Sequence, residues 1–329
     1  MRSVFPEAYV LGKNNFIGVC RLGSAERYEA FEGEESTMTH SSLGRNALER
    51  FMSILFLLCG IVAVAFVLFI SIYLLISGVP AIREIGLGDF LFGKVWSPNT
   101  GQYGILPFLL TSVYGTAGAV VLGVPLGLMT AIFLAKAAPQ RLAAVIHTAV
   151  ELLAGIPSVV YGLVGMIVLV PTIQRVFGLA SGATLLAAIL VLTVMILPSI
   201  IQVAETALRA VPEEYEQASL ALGATKLETA FRVSFPAARS GVATAVVLGV
   251  GRAIGEAMAI IMVSGNVPNL PGLFQPVRFL TTAIASEMSY AAYGSLWRDA
   301  LFSVGLVLFL FIMLINVLLN VLIKGRKEG

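Results

Sequence analysis

Six charge-poor apolar runs organise this chain. They cover Phe51 to about Ser77, Ile105 to Ala135, about Leu152 to Ile173, about Thr184 to Ala204, about Ser240 to Met262, and about Ala300 to Ile323. Each is long enough for a helix to cross a hydrocarbon core about 30 Å thick, which takes about 20 residues. The pattern predicts an all-α polytopic membrane protein with six transmembrane helices. Residues 1–47 are polar and mixed in sign, show no helical or strand period, and read as a flexible tail. The expected division is then 48–105 for the first span and an outer loop, and 106–325 for the main transmembrane domain. That domain contains a long inner loop, 205–239, and residues 326–329 form a short C-terminus.

Composition agrees. The chain of 329 residues is 58% hydrophobic and 12% charged, against about 25% charged for an ordinary soluble domain. Its two cysteines, Cys20 and Cys59, lie one in the tail and one in a span, and suggest neither a disulfide framework nor a metal site. His40 and His147 are too scattered for a metal cluster. No cofactor, metal or nucleic-acid partner is expected. The N-terminus lacks the basic-apolar-cleavage pattern of a signal peptide, and Met38 is a candidate translation start that an intact mass would test. Lys and Arg concentrate on the segments that share a side with the N-terminus, which puts both termini in the cytoplasm.

The fifth run is interrupted by charge. Within Gly251-Arg252-Ala253-Ile254-Gly255-Glu256, Arg252 lies roughly 16 Å beyond Gly241, near the middle of a bilayer core. An arginine there costs at least about 2.5–3.5 kcal/mol on insertion scales and normally faces a partner or a water-filled path. Glu256, four residues on, falls on the same face of a continuous helix. Gly251 and Gly255 form a small-xxx-small pair that admits another backbone. Two readings stay open: mutual neutralisation in a packed bundle, or an anion site on a transport path. A third makes Arg252 and Glu256 the proton relay of an ion-coupled carrier. A membrane-embedded enzyme is disfavoured, because no nucleophile–base set appears among the spans.

Other candidates are weaker. The third run opens with Glu151, then Pro157 and Tyr161, which read as gating or structural residues. Pro157 should kink or open that span one turn in, and His147 should bond locally to Glu151 four residues on. A helix from about Lys136 to Val150 is expected at the inner surface. Glu287, in the last outer segment, is expected to be solvated.

The inner loop carries breakers that suggest two short helices. Pro212, followed by Glu213, Glu214 and Glu216, suits a helix start, and Gly223 a helix end. A second helix from about Lys226 reaches Pro236 at the return to the membrane. A polar loop of this length reads as a docking platform for a cytoplasmic partner. Gln217-Ala218-Ser219, then Gly223, then Val233-Ser234-Phe235-Pro236, resembles the coupling loop of ABC importer permeases, with the spacing kept and the residue types drifting. The stretch from Gly251 to Ala259, together with Trp96-Ser97-Pro98, Tyr103 to Pro107, Glu151 to Gly162 and Leu280 to Ala285, is similar to the phosphate-specific permeases of the PstC type. That resemblance covers residue 48 to the C-terminus. It implies a type I (MetI-like) permease fold in the bacterial inner membrane and transport of inorganic phosphate. It further implies a sister permease of the PstA type, a cytoplasmic ATPase dimer and an external phosphate-binding protein. Arg252 and Glu256 would line the substrate path, and Gln217, Ala218, Ser219, Gly223, Val233, Phe235 and Pro236 would dock the ATPase. The chain has no Gly-x-x-x-x-Gly-Lys-Ser/Thr phosphate loop, so ATP hydrolysis falls to another subunit. Permeases for phosphonate, sulfate or molybdate are the near alternatives.

Overall fold

The computed structural model describes residues 26–324. Helix α1 runs from Glu26 to Ile85 and contains a candidate span, Glu49–Ile85. Residues 26–47, expected as a flexible tail, are thus helical; residues 1–25 and 325–329, which include the expected C-terminal segment 326–329, lie outside the described residues. Up to Phe69 the helix belongs to a unit of its own. There it turns large apolar side chains such as Phe56 and Phe66 outward, as a helix bathed in hydrocarbon can.

The chain from Ile70 onward forms the second compact unit. After α1 come α2 (Leu87–Phe92) and a two-stranded hairpin, β1 (Trp96–Ser97) and β2 (Gln102–Tyr103), with Trp96 opposite Tyr103. Gly101, at φ 71°, closes the hairpin turn, in the left-handed region where a side chain is strained. Helix α3 (Leu106–Ile132) ends in a π turn, Phe133–Ala137, and α4 (Gln140–Gly155) follows. The third span is α5 (Ser158–Val164), a π turn at Gly165–Leu169, and α6 (Val170–Phe177). Helix α7 (Leu185–Arg209) starts at Thr184, whose side chain accepts the N–H of Ala187. The inner loop folds as α8 (Glu213–Ala221), α9 (Lys226–Thr229), a π turn at Ala230–Ser234, and α10 (Phe235–Ala237). Then come α11 (Arg239–Gly255), α12 (Met258–Val263), α13 (Leu280–Glu287) and α14 (Leu296–Lys324).

Five helical stretches are long and apolar enough to cross a membrane, and α11, joined to Lys226–Ala237 across a 76° bend, makes up to six. The second, fourth and sixth spans fall within a few residues of their predicted limits. Two expectations need correction. The third span starts at Ser158 instead of Leu152, because Ile156 and Pro157 are both extended (ψ 126° and 142°) and separate α4 from α5. Of the two outcomes expected at Pro157, a kink or an opening, the chain takes the opening. The fifth run is likewise not one helix, since it stops at Gly255 and resumes at Met258.

Helix α7 is the centre of the packed unit, with Ala187, Ala188, Ile196 and Ile200 wholly buried. Its neighbours approach it through glycine. A Cβ on Gly118, Gly123 or Gly127 of α3 would lie 2.7, 2.7 or 2.8 Å from Ile189, Ile196 or Ile200, and one on Gly249 of α11 would lie 2.8 Å from Ile200. With no hydrophobic effect between helices in lipid, such close backbone approach supplies the van der Waals contact that holds a bundle.

Gly162 on α5 is the tightest test of this packing against α12. Its added Cβ would sit 2.8 Å from the Ala259 Cα and 3.0 Å from the Ala259 carbonyl oxygen, both backbone atoms that cannot swing away. Gly162→Ala should destabilise the unit by about 1–3 kcal/mol, read as a lower melting temperature in detergent. Gly155→Ala on α4, where nothing lies within 4 Å, should leave it unchanged. Equal melting of both variants would contradict the packing described.

Candidate functional site

The break in the fifth span sets the site. Gly255 is a poor helix former, and the next residue, Glu256, takes an extended backbone (φ −74°, ψ 132°). A break inside a membrane exposes peptide groups that must find partners. Two of these bonds involve Glu256. Its Oε1 accepts the Ala259 N–H at 3.0 Å, capping α12, and its carbonyl oxygen accepts the Thr281 hydroxyl at 2.7 Å. Arg252 lies in the last turn of α11, where a cation is favoured by the helix dipole. Its Nη1 donates to Ser199 Oγ of α7 at 2.9 Å.

The Arg252–Glu256 pairing, one of the readings the sequence left open, is absent among the described ion pairs. The i,i+4 relation needs a continuous helix, and the break removes it. Each charge answers a helix end created by the break: the guanidinium at the C-terminus of α11, the carboxylate at the N-terminus of α12. Gly251 and Gly255 have nothing within 4 Å of where a Cβ would stand, so within this chain they border open space. Both Arg252 and Glu256 are half-buried. The arrangement offers a half-buried positive charge, held by one neutral hydroxyl, at the end of a broken span.

The inner loop has the predicted anatomy. Pro212 precedes α8, Glu213, Glu214 and Glu216 occupy its first turn, and Gly223 follows it at φ 87°. Thr225 and Glu228 form a capping box at α9. The Thr225 N–H and hydroxyl donate to Glu228 Oε2 at 2.9 and 3.0 Å, and these bonds hold the Glu228 carboxyl below its usual range. Ser219 and Thr229 share a hydroxyl–hydroxyl bond of 2.9 Å that joins the two short helices. Outward, the loop presents Tyr215, Leu222 and Leu227, with Leu222 90% exposed. Gln217, Ala218 and Pro236 are exposed as well, while Val233 and Phe235 are half-buried.

The family described as "Binding-protein-dependent transport system inner membrane component" matches residues 123–326. The chain belongs to this family. It is 40% identical over 269 residues to the probable ABC transporter permease protein YqgH of Bacillus subtilis, covering 79% of this chain and 87% of that one. It is 36% identical over 281 residues to the phosphate transport system permease protein PstC of Haemophilus influenzae, covering 79% and 88%. An inward-facing structure of the MetNI methionine ABC transporter superposes with a TM-score of 0.55 at 21% identity, over 67% of this chain and 95% of that one. This likeness shows the type I importer permease fold.

Other site expectations shift in this inner-membrane component. His147 does not bond to Glu151, which is exposed on α4. It bonds instead to Glu205 Oε1 at 2.8 Å, an oxygen that also accepts from Arg209 Nε at 2.8 Å. Glu205 is 2% exposed, and these donors compensate the burial of its side chain. Tyr161 donates to the Leu153 carbonyl at 2.6 Å, which otherwise accepts only the longer bond of the Ile156 N–H at 3.3 Å because Pro157 has no N–H to give. Ser199, which nothing in the sequence marked out, is the partner of Arg252.

Glu287 is not solvated. Its Oε2 accepts the indole N–H groups of Trp96 (2.9 Å) and Trp297 (2.8 Å), and its Oε1 pairs with Arg278. Arg278 also donates twice to the Asn266 carbonyl, at 3.1 and 2.8 Å, and lies over the Phe108 ring. Both charged side chains are 14% exposed. Nearby, burial and then Glu84 push the Tyr103 hydroxyl pKa up. Removing one partner of a largely buried pair leaves the other uncompensated. Glu287→Ala should cost about 3–5 kcal/mol, measured as a fall in melting temperature. Because the chain has only two tryptophans and both donate to Glu287, the difference emission spectrum should show both indoles in altered surroundings. An unchanged spectrum would refute the cluster.

Proposed function

We propose that this chain is the PstC-type permease subunit of an ATP-driven importer of inorganic phosphate, and that Arg252 is the anion-binding residue on its path. The observation that carries the site is the single described hydrogen bond of Arg252, to the neutral Ser199 hydroxyl, at a broken span. Phosphate near neutral pH carries between one and two negative charges, and a guanidinium matches its oxygens with a planar fork of donors. Exchanging a neutral serine hydroxyl for a phosphate oxygen strengthens the bond without first breaking an ion pair. Glu256 shapes the site from the other side of the break, fixing its backbone and the start of α12.

The relatives named for phosphate transport support the substrate. The inner loop, with its exposed apolar side chains, serves as the dock for a separate ATPase. The remaining partners are a PstA-type sister permease on the open side of Gly251 and Gly255, and an external phosphate-binding protein. The Lys and Arg distribution supports both termini lying in the cytoplasm.

The test is ATP-dependent uptake of labelled phosphate into vesicles that contain the companion subunits and binding protein. Arg252→Ala should lower uptake by about 10- to 100-fold, the range of a hydrogen bond to a charged group, while the complex still assembles. Excess unlabelled sulfate or molybdate should not compete. Competition by either would move the substrate to that oxyanion, and normal uptake by the variant would discard Arg252 as the anion site.

A further inference from the structure

Glu216 stands one position before the loop pattern that begins at Gln217, and that pattern gives it no role. The structure does. Its Oε1 takes two donors from different elements: the Lys136 ammonium, in an ion pair, and the Ser234 hydroxyl at 2.9 Å. Lys136 and Glu216 side chains are only 13% and 24% exposed. Lys136 belongs to the π turn that ends α3, and Ser234 closes the π turn between α9 and α10. Thus one carboxylate oxygen on α8 bridges two π turns.

Such turns are rare and often sit at functional positions. The π turn of α3 is also gripped from its other side, where Arg209 Nη2 of α7 donates to the Leu134 carbonyl at 3.1 Å. The inner end of α3 is therefore held between the coupling loop and α7. A cavity of about 210 Å³ lies beside the joint, lined by Lys136, Glu216, Lys226, Thr229 and Ser234 among others. It leaves room for these side chains to move without unpacking the core.

We propose that Glu216 is a positioning residue that carries movement of the coupling loop into α3 through Lys136 and Ser234. This rests on the permease reading above. The outward face of the loop, with Tyr215, Leu222 and Leu227, meets the ATPase, so force must leave by the inward face. Apolar contacts there would slide, whereas charge-assisted bonds fix direction and register.

The readout is the number of ATP molecules hydrolysed per anion imported, measured on the full complex with binding protein present. Glu216→Gln should raise this ratio about fivefold or more, the lower end of typical coupling between sites. A merely structural defect would lower hydrolysis and import together and leave the ratio unchanged, which would overturn the proposal. The exchange of charges in the double variant Lys136→Glu/Glu216→Lys should restore much of the ratio, and a double variant no better than Glu216→Gln would also overturn it. Ser234→Ala, which keeps every charge, should raise the ratio in the same direction and serves where Glu216→Gln fails to assemble; an unchanged ratio there would count against the joint. The ratio is read with whichever oxyanion the wild-type complex imports, so a wrong substrate and a wrong joint give different results.

Discussion

Inside a bilayer every peptide group needs a partner from the protein itself, and the break at Gly255–Ala257 is where that constraint bears hardest. An uninterrupted helix would meet it at no cost but would have no opening. Here the opening is tolerated because Glu256 accepts both the Ala259 N–H and the Thr281 hydroxyl, and Ile261 N–H reaches back to the Ala257 carbonyl. The carboxylate is committed to the backbone, which leaves Arg252 without an acidic partner among the described residues. The same rule explains Tyr161, whose hydroxyl serves the Leu153 carbonyl at the break before α5. Side chains that look like candidate chemistry in sequence are, in two of these cases, answers to backbone hydrogen bonding.

The breaks depend in turn on a frame that does not give. Helix α7 provides it, buried along much of its length and approached by glycines of α3 and α11. A helix packed through glycine has little freedom to slide, since each approach fixes a notch opposite an isoleucine side chain. The Ser199 hydroxyl is carried by this helix, one residue after Pro198, which removes a backbone donor within the turn. Arg252 is thus held by the most buried of the long apolar helices described.

Much of this architecture was legible in the chain. Apolar run length located the spans, since the hydrocarbon thickness sets it, and Pro212, Gly223 and Pro236 punctuated the inner loop through backbone restrictions that act locally. What was not legible shares one cause: it depends on residues far apart or on a local choice that periodicity cannot see. His147 meets Glu205 across 58 positions and Glu287 meets Trp96 across 191, so the nearer Glu151 was a reasonable but wrong partner. Arg252 and Glu256 satisfy an i,i+4 rule only if the helix continues, and an apolar run containing Gly255 reads alike whether it continues or breaks. Pro157 posed the same choice between a kink and a break, decided by Ile156 also leaving the helical region.

The carboxylates and the arginine then divide into two kinds. Glu287, Glu205 and Glu216 each collect donors from more than one element: two indoles and Arg278, or His147 and Arg209, or Lys136 and Ser234. Breaking the Glu287 or the Glu205 cluster strands a charge in a poorly hydrated place, at a cost of several kcal/mol, so these two corners resist rearrangement. Arg252 has one described hydrogen bond, to a neutral hydroxyl, and a bond of that kind contributes about 1.5–3 kcal/mol. A path that must bind an anion and release it needs a charge whose resting partner is cheap to leave and whose surroundings stay fixed. Placing the heavily bonded carboxylates at the packed corners and the lightly bonded guanidinium at the break meets both conditions with the same few helices.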